Sequence, residues 1–275
     1  MSENATPDTQ RRRLLAGIAA GAAAALGGQP VRGAALPNKD IGIVMMHGKW
    51  GRPPGPVAGY LEREGYRVVS PEMPWSGGRL YDVPYMEGLT ALHAIVRKLR
   101  ADGTRKVVVG GESFGANGTL AYQSVYGDAD ALIILAPEHM PGSWYRSGLI
   151  KEEVDRALAL REEGKGKERY SFTDPNQDKS RRMTATVETY LSYFAPRGRG
   201  NVAVTAAKIA ADGKAVPVLL VNSTNETRTQ GRKLIFDVLP PHPKSVYIES
   251  GAGHGEAAER ARPDVMRFLE SIAQD

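Results

Sequence analysis

The stretch VVVGGESFGANG, residues 107–118, decides how the chain is read. A run of valines ends in two glycines, and Gly111-Glu112-Ser113-Phe114-Gly115 has the spacing G-x-S-x-G. A serine hydroxyl is a weak nucleophile unless a base takes its proton and its oxygen is held exposed. A sharp turn from strand into helix supplies that exposure, and the flanking glycines let neighbouring chain pass close. KVVVG (106–110) reads as the strand and FGANGTLAYQSVYG (114–127) as the helix. The competing reading is a structural glycine-rich turn.

Five further apolar runs resemble this strand: IGIVMM (41–46), YRVVS (66–70), ALIILA (131–136), VPVLLV (216–221) and SVYIE (245–249). They are rich in β-branched residues and lack polar alternation, the pattern of strands buried on both faces of a parallel sheet. Helical periodicity lies between and after them. Leu89, Leu92, Ile95, Val96 and Leu99 share one face over 88–100, and Val265, Phe268, Leu269 and Ile272 share one over 263–273. The alternation predicts an α/β fold with a compact, mainly parallel sheet of about six strands flanked by helices. Residues 137–215 are too long for one crossover. Their amphipathic stretch (Ile150, Val154, Ala157, Leu158, Arg161), polar run 161–183 and aromatic cluster Tyr190, Tyr193 and Phe194 are read as an inserted lid over 138–200, with a helix at 203–211 returning to the sheet. The core is then 36–137 and 201–275. A solvated surface excursion is the alternative.

The partners of Ser113 must come from strand ends. Of five histidines, His254 in GAGHGE follows the last strand and precedes the last helix, so glycines can bring its imidazole over the sheet edge. It is the candidate base. The third member orients the imidazole and stabilises its charged form. Glu226, just beyond VPVLLV, gives the order Ser113, Glu226, His254. Glu138, just after ALIILAP, competes with it. Acyl transfer also needs oxyanion donors. These are expected from the backbone N–H of Phe114 and, in MMHGKWG after the first strand, of Lys49, with Trp50 as fallback. His47 reads better as a structural turn residue than as a catalytic one. Trp50, Trp75 and Tyr81 are candidates for a substrate pocket or for plain packing.

Together these pieces resemble the α/β-hydrolase family: MMHGKWG after the first strand, VVSPEMPWSGG after the second, the GGESFG elbow, an acid after VPVLLV, and GAGHG before the final helix. The resemblance spans residues 40–137 and 203–273 and implies that fold and a serine nucleophile. It leaves the lid unexplained. The family usually has Asp where Glu226 and Glu72 stand, and often two extra initial strands, which are expected to be missing here because the first strand begins about five residues past the expected cleavage site. The reaction implied is hydrolysis of an ester or related acyl bond. Esterase, thioesterase and peptidase chemistry share this machinery, and a non-catalytic binding protein on the same fold is the alternative.

The N-terminus reads as an address. Arg11, Arg12 and Arg13 precede a weakly apolar stretch, Leu14 to Leu26, and small residues close it near Ala35. This is the layout of a removable export signal, residues 1–35, and its paired arginines and leucines resemble a twin-arginine signal. The expected partners are therefore the twin-arginine export machinery and a small-molecule acyl substrate, and the expected location is periplasmic or secreted. The apolar stretch is too short and too rich in Ala and Gly for a stable membrane span. Of the net charge of +5, the segment 1–35 carries four arginines against Glu3 and Asp8, and the remainder is too weakly basic to suggest nucleic acid. The chain has no cysteine, the histidines lack metal-ligand spacing, and neither G-x-G-x-x-G nor a phosphate-binding loop is present, so no metal or cofactor is expected.

Overall fold

The computed structural model describes residues 35–224 and 231–274; the expected export signal therefore lies outside the described residues. Six strands form one sheet: β1 (Ile41–Met46), β2 (Arg67–Val69), β3 (Lys106–Glu112), β4 (Ala131–Leu135), β7 (Val218–Asn222) and β8 (Val246–Glu249). All neighbours are parallel, in the order β2-β1-β3-β4-β7-β8. Each strand falls within two residues of an apolar run read from the sequence.

The central strands are apolar on both faces because both faces are covered. Val44, Met46, Val107 and Val109 face a cluster built with α2 (Tyr85–Ala101), α3 (Phe114–Tyr126) and α7 (Val202–Asp212). Ile41, Ile43, Met45 and Val108 face a second cluster built with α1 (Ala58–Arg63) and α9 (Arg262–Ile272), where Val265, Phe268, Leu269 and Ile272 supply the expected stripe. Between β1 and β3 the strand order reverses direction. Loops at the carboxyl ends of strands meet at such a switch point, and ligands bind there. Here they are the Lys49 loop after β1 and the Ser113 turn after β3.

Residues 138–200 contain α4 (Pro141–Arg146), α5 (Lys151–Glu162), an antiparallel pair β5 (Arg169–Asn176) and β6 (Lys179–Thr186), and α6 (Val187–Phe194). The hairpin differs from the polar loop that the sequence suggests. Its inward residues include Phe172, Asp174, Met183 and Ala185, so a charge breaks the apolar alternation that would reveal a strand. Tyr190, Tyr193 and Phe194 of α6 are fully buried and pack into the core. A short helix α8 (His254–Arg260) precedes α9. Among the described residues, no helix is long and apolar enough to cross a membrane.

The turn after β3 leaves no room for side chains at its glycines. A β-carbon on Gly111 would lie 2.3 Å from the carbonyl carbon of Gly115, and one on Gly115 would lie 2.5 Å from the Met46 carbonyl oxygen. Gly111→Ala is expected to destabilise the fold by roughly 1–3 kcal/mol, as overpacking does, read as a lower urea midpoint at unchanged m-value.

Candidate active site

Ser113 sits at the apex of the turn between β3 and α3 with φ 52° and ψ −119°. That backbone is costly for any residue with a β-carbon and persists only where the surroundings enforce it. The enforcement is visible. The Ser113 N–H donates to the Leu135 carbonyl at the end of β4 (2.8 Å), and its own carbonyl accepts from the N–H of Ala116 (3.0 Å). The loop after β1 crosses directly above, since a β-carbon on Gly48 would lie 3.2 Å from the Ser113 Cβ and 3.7 Å from its Oγ.

That loop carries the expected oxyanion amide. Among the described residues, neither the N–H of Lys49 nor that of Phe114, at the first position of α3, meets a protein acceptor. The fallback is corrected: the Trp50 N–H is committed to the Trp75 carbonyl (2.9 Å). His47 is structural. Its Nε2 accepts from the Met73 N–H (3.1 Å), which leaves Nδ1 to donate to the Gly48 carbonyl (2.8 Å). Desolvation lowers its pKa and keeps that neutral tautomer.

The Lys49 side chain turns inward. Its Nζ donates to Asp174 Oδ1 (2.8 Å) and to the Pro175 carbonyl (2.7 Å), both on β5. Asp174 is fully buried, and its Oδ2 also accepts from Trp50 Nε1 (2.6 Å) and the Tyr81 hydroxyl (2.9 Å). Arg181 of β6 approaches the same oxygen at 3.7 Å. Burial lowers the pKa of Lys49, and the Asp174 charge opposes that shift. This cluster joins the inserted hairpin to the loop over Ser113.

His254 is the first residue of α8. The loop before it is tied to the end of β7: Ser250 N–H donates to the Asn222 carbonyl (2.9 Å), and Thr224 N–H donates to Ala252 (3.1 Å). His254 and Ser113 line one cavity of about 310 Å³, together with Gly48, Glu112, Ala136 and Gln177. The His254 Nε2 lies 3.2 Å from Glu138 Oε2. Glu138 also lines a larger cavity of about 860 Å³ with Met140, Trp144, Leu149 and Asp178. A third space, only about 10 Å³, lies among Lys49, Ser113, Phe114, Glu138, His139 and Trp144. Glu226 lies in 225–230, outside the described residues.

Of the aromatic pocket candidates, Trp75 and Tyr81 are fully buried. Trp75 Nε1 donates to the His47 carbonyl (2.9 Å), and its ring packs 4.7 Å from that of Phe114. Trp50 stacks under the Arg181 guanidinium and is held to Asp174. In this structure Trp50 and Tyr81 are held by Asp174 of the hairpin, and Trp75 packs against Phe114 and Tyr85. The residues facing the cavities are instead Trp144, Glu138 and Gln177.

Three roles carried no sequence signal. Asn117 is buried and binds both ends of the insertion: its Nδ2 donates to the carbonyls of His139 (2.6 Å) and Gly200 (2.9 Å). His139 stacks on Phe114 at 4.1 Å, and its Nε2 bonds the Tyr193 carbonyl (3.0 Å). Desolvation and the Lys49 charge hold its pKa well below the usual histidine value. Glu112 accepts from the Gly48 N–H, and burial raises its pKa despite that bond.

The sequence profile described as "Alpha/beta hydrolase family" matches residues 43–266. The chain belongs to the alpha/beta hydrolase family. Solved structures agree on the fold. A monoacylglycerol lipase from Paleococcus ferrophilus is 19% identical with a TM-score of 0.62, covering 86% of this chain and 96% of its own. One of two metagenome-derived lipolytic enzymes is 13% identical with a TM-score of 0.56, covering 86% of this chain and 99% of its own. A proline iminopeptidase from Mycobacterium smegmatis is 16% identical with a TM-score of 0.53, covering 87% and 92%. No curated protein sequence matches the chain.

Asp174→Ala would leave the Lys49 ammonium buried without its carboxylate and is expected to cost roughly 3–5 kcal/mol, measured by urea unfolding. Glu112 gives a pH-dependent test. Its folded pKa is raised, so its contribution is fully present below the unfolded value and is lost as pH rises through the folded one. Glu112→Gln, which keeps an acceptor for Gly48, should therefore melt higher than the parent at neutral pH, with the gap closing toward pH 4.

Proposed function

We propose that this protein is a serine hydrolase that cleaves an ester or related acyl bond through an acyl-enzyme. The observation that carries the reading is Ser113 at its strained apex, φ 52° and ψ −119°, opening on the cavity it shares with His254. His254 Nε2 takes the Oγ proton as Oγ bonds the substrate carbonyl carbon. The N–H groups of Phe114 and Lys49 stabilise the oxygen that becomes negative. Nε2 then returns the proton to the leaving heteroatom as its bond to carbon breaks. Water repeats the sequence to release the acid.

The orienting acid is Glu226 in this proposal. The imidazole nitrogen that serves the nucleophile is Nε2, and the acid acts on Nδ1. Glu138 lies 3.2 Å from Nε2, the nitrogen that this proposal gives to the nucleophile. Thr224, two residues before Glu226, is hydrogen-bonded to the His254 loop, which supports the assignment from chain order. Residues 138–200 act as the cap, supplying Glu138, Trp144, Asn176 and Gln177 to the cavity walls. The twin-arginine-like segment supports export, and the reading places the enzyme in the periplasm or outside the cell.

A fluorophosphonate probe should label the mature protein and fail to label Ser113→Ala. Hydrolysis of p-nitrophenyl acetate should fall on the order of 10³-fold or more in Ser113→Ala and in His254→Ala. A folded parent that neither labels nor cleaves any ester would point to a binding role instead.

A further inference from the structure

We propose that Asn176, at the tip of the inserted hairpin, is a further catalytic residue: its side-chain amide donates to the substrate oxygen that becomes negative, beside the backbone N–H groups of Phe114 and Lys49. The inference rests on the reading of Ser113 as the nucleophile and His254 as its base.

Two spaces meet at Ser113. The cavity of about 310 Å³ has His254, Gly48 and Glu112 in its walls as well, so the scissile bond and the proton that crosses it belong there. The second space offers about 10 Å³ and is bordered by Ser113, Phe114 and Lys49. That is room for about one oxygen-sized group. Its walls are the nucleophile and the two residues whose N–H groups are assigned to the developing charge. A carbonyl carbon bonded to Ser113 Oγ therefore points its oxygen into the small space and keeps its other substituents in the larger one.

Ser113, Lys49 and Asn176 are the residues that border both spaces. The Lys49 ammonium is committed to Asp174 Oδ1 and the Pro175 carbonyl, so what Lys49 offers the junction is its backbone N–H. Asn176 brings a side chain. It is half-buried, and among the described residues no protein group bonds its amide. The other polar groups around the small space are less suited. Glu138 is an acceptor and lies against His254 (3.2 Å). His139 Nε2 donates to the Tyr193 carbonyl (3.0 Å). Trp144 turns its ring to the Lys49 ammonium (5.2 Å) and borders the 860 Å³ cavity rather than the one with His254.

Asn176 is also preorganised. The two residues before it, Asp174 and Pro175, are the ones that Lys49 Nζ clamps. Asn176 itself pairs with Lys179 across the hairpin, and a tight turn with Gln177 at φ 55° follows it. The lysine that supplies one oxyanion amide thus also fixes the strand that carries the other donor. A donor held in place before the charge develops stabilises it without reorganisation at the moment of reaction.

The test combines rate with binding of a tetrahedral mimic on the mature protein. The substrate is p-nitrophenyl acetate and the mimic is 1,1,1-trifluorobutan-2-one. Ser113 Oγ adds to the ketone carbon, the Oγ proton passes to His254 Nε2, and the carbonyl π pair ends on the oxygen as an oxyanion. Asn176→Ala and Asn176→Leu, the latter close to asparagine in size but without a donor, are expected to lower kcat on the order of 10²-fold with KM little changed. Ki for the ketone is expected to rise by a similar factor at an unchanged urea midpoint. Variants that keep both kcat and Ki overturn the proposal. So does a fall in kcat with Ki unmoved, which would put the amide on the leaving group. So does activity that Asn176→Leu restores and Asn176→Ala loses, which would make the side chain a packing element. Should Asn176→Ala fail to fold, Asn176→Leu carries the same comparison. A parent that takes no fluorophosphonate and cleaves no ester fails the hydrolase reading itself, and the proposal falls with it.

Discussion

The Lys49–Asp174 ion pair is the constraint on which the site depends. Taking two charges out of water costs several kcal/mol per ion and is repaid only by close geometry and further hydrogen bonds. Both are present: Asp174 accepts from Lys49, the Trp50 indole and the Tyr81 hydroxyl, and Lys49 also meets the Pro175 carbonyl. The partners come from three distant parts of the chain. Their convergence fixes the path of the loop after β1, including the left-handed backbone of Trp50 at φ 60°. The Lys49 amide is one bond system away from this cluster, so a buried charge in the hairpin governs where that amide points.

The second constraint is close backbone packing. Gly111, Gly115 and Gly48 let β3, α3 and the loop after β1 approach to distances that no β-carbon tolerates or that leave it barely room. Ser113 stays half-buried at the edge of a cavity because the glycines around it allow everything else to close in. The ion pair and the glycine contacts act on opposite sides of the same residue. One positions the loop above it and the other supports the turn beneath it.

The sheet was legible because burial on both faces leaves a plain signal: six runs of branched apolar residues. The Ser113 turn was legible because its sterics demand glycine at fixed offsets, and the place of His254 after the last strand because glycines surround it there. The hairpin was hidden, since Asp174 and Arg181 interrupt its apolar face, and the partners that make an inward carboxylate tolerable, Lys49, Trp50 and Tyr81, lie far away in the sequence. Trp75 and Tyr81 were ambiguous for a related reason. An aromatic side chain can line a cleft or fill a core, and the neighbours that decide between these come from the fold. Which side of the His254 ring Glu138 would meet is a matter of Ångströms that residue spacing does not encode.

Asn117 has a consequence for how this protein could have arisen and how it could be re-engineered. One buried amide on the helix behind the nucleophile holds residue 139 and residue 200 together. The sixty residues between them leave and rejoin the sheet at a single point. Such a segment could not be exchanged alone: Tyr190, Tyr193 and Phe194 fill the core and Asp174 holds Lys49, so a replacement would have to bring its own core residues and its own partner for the ammonium.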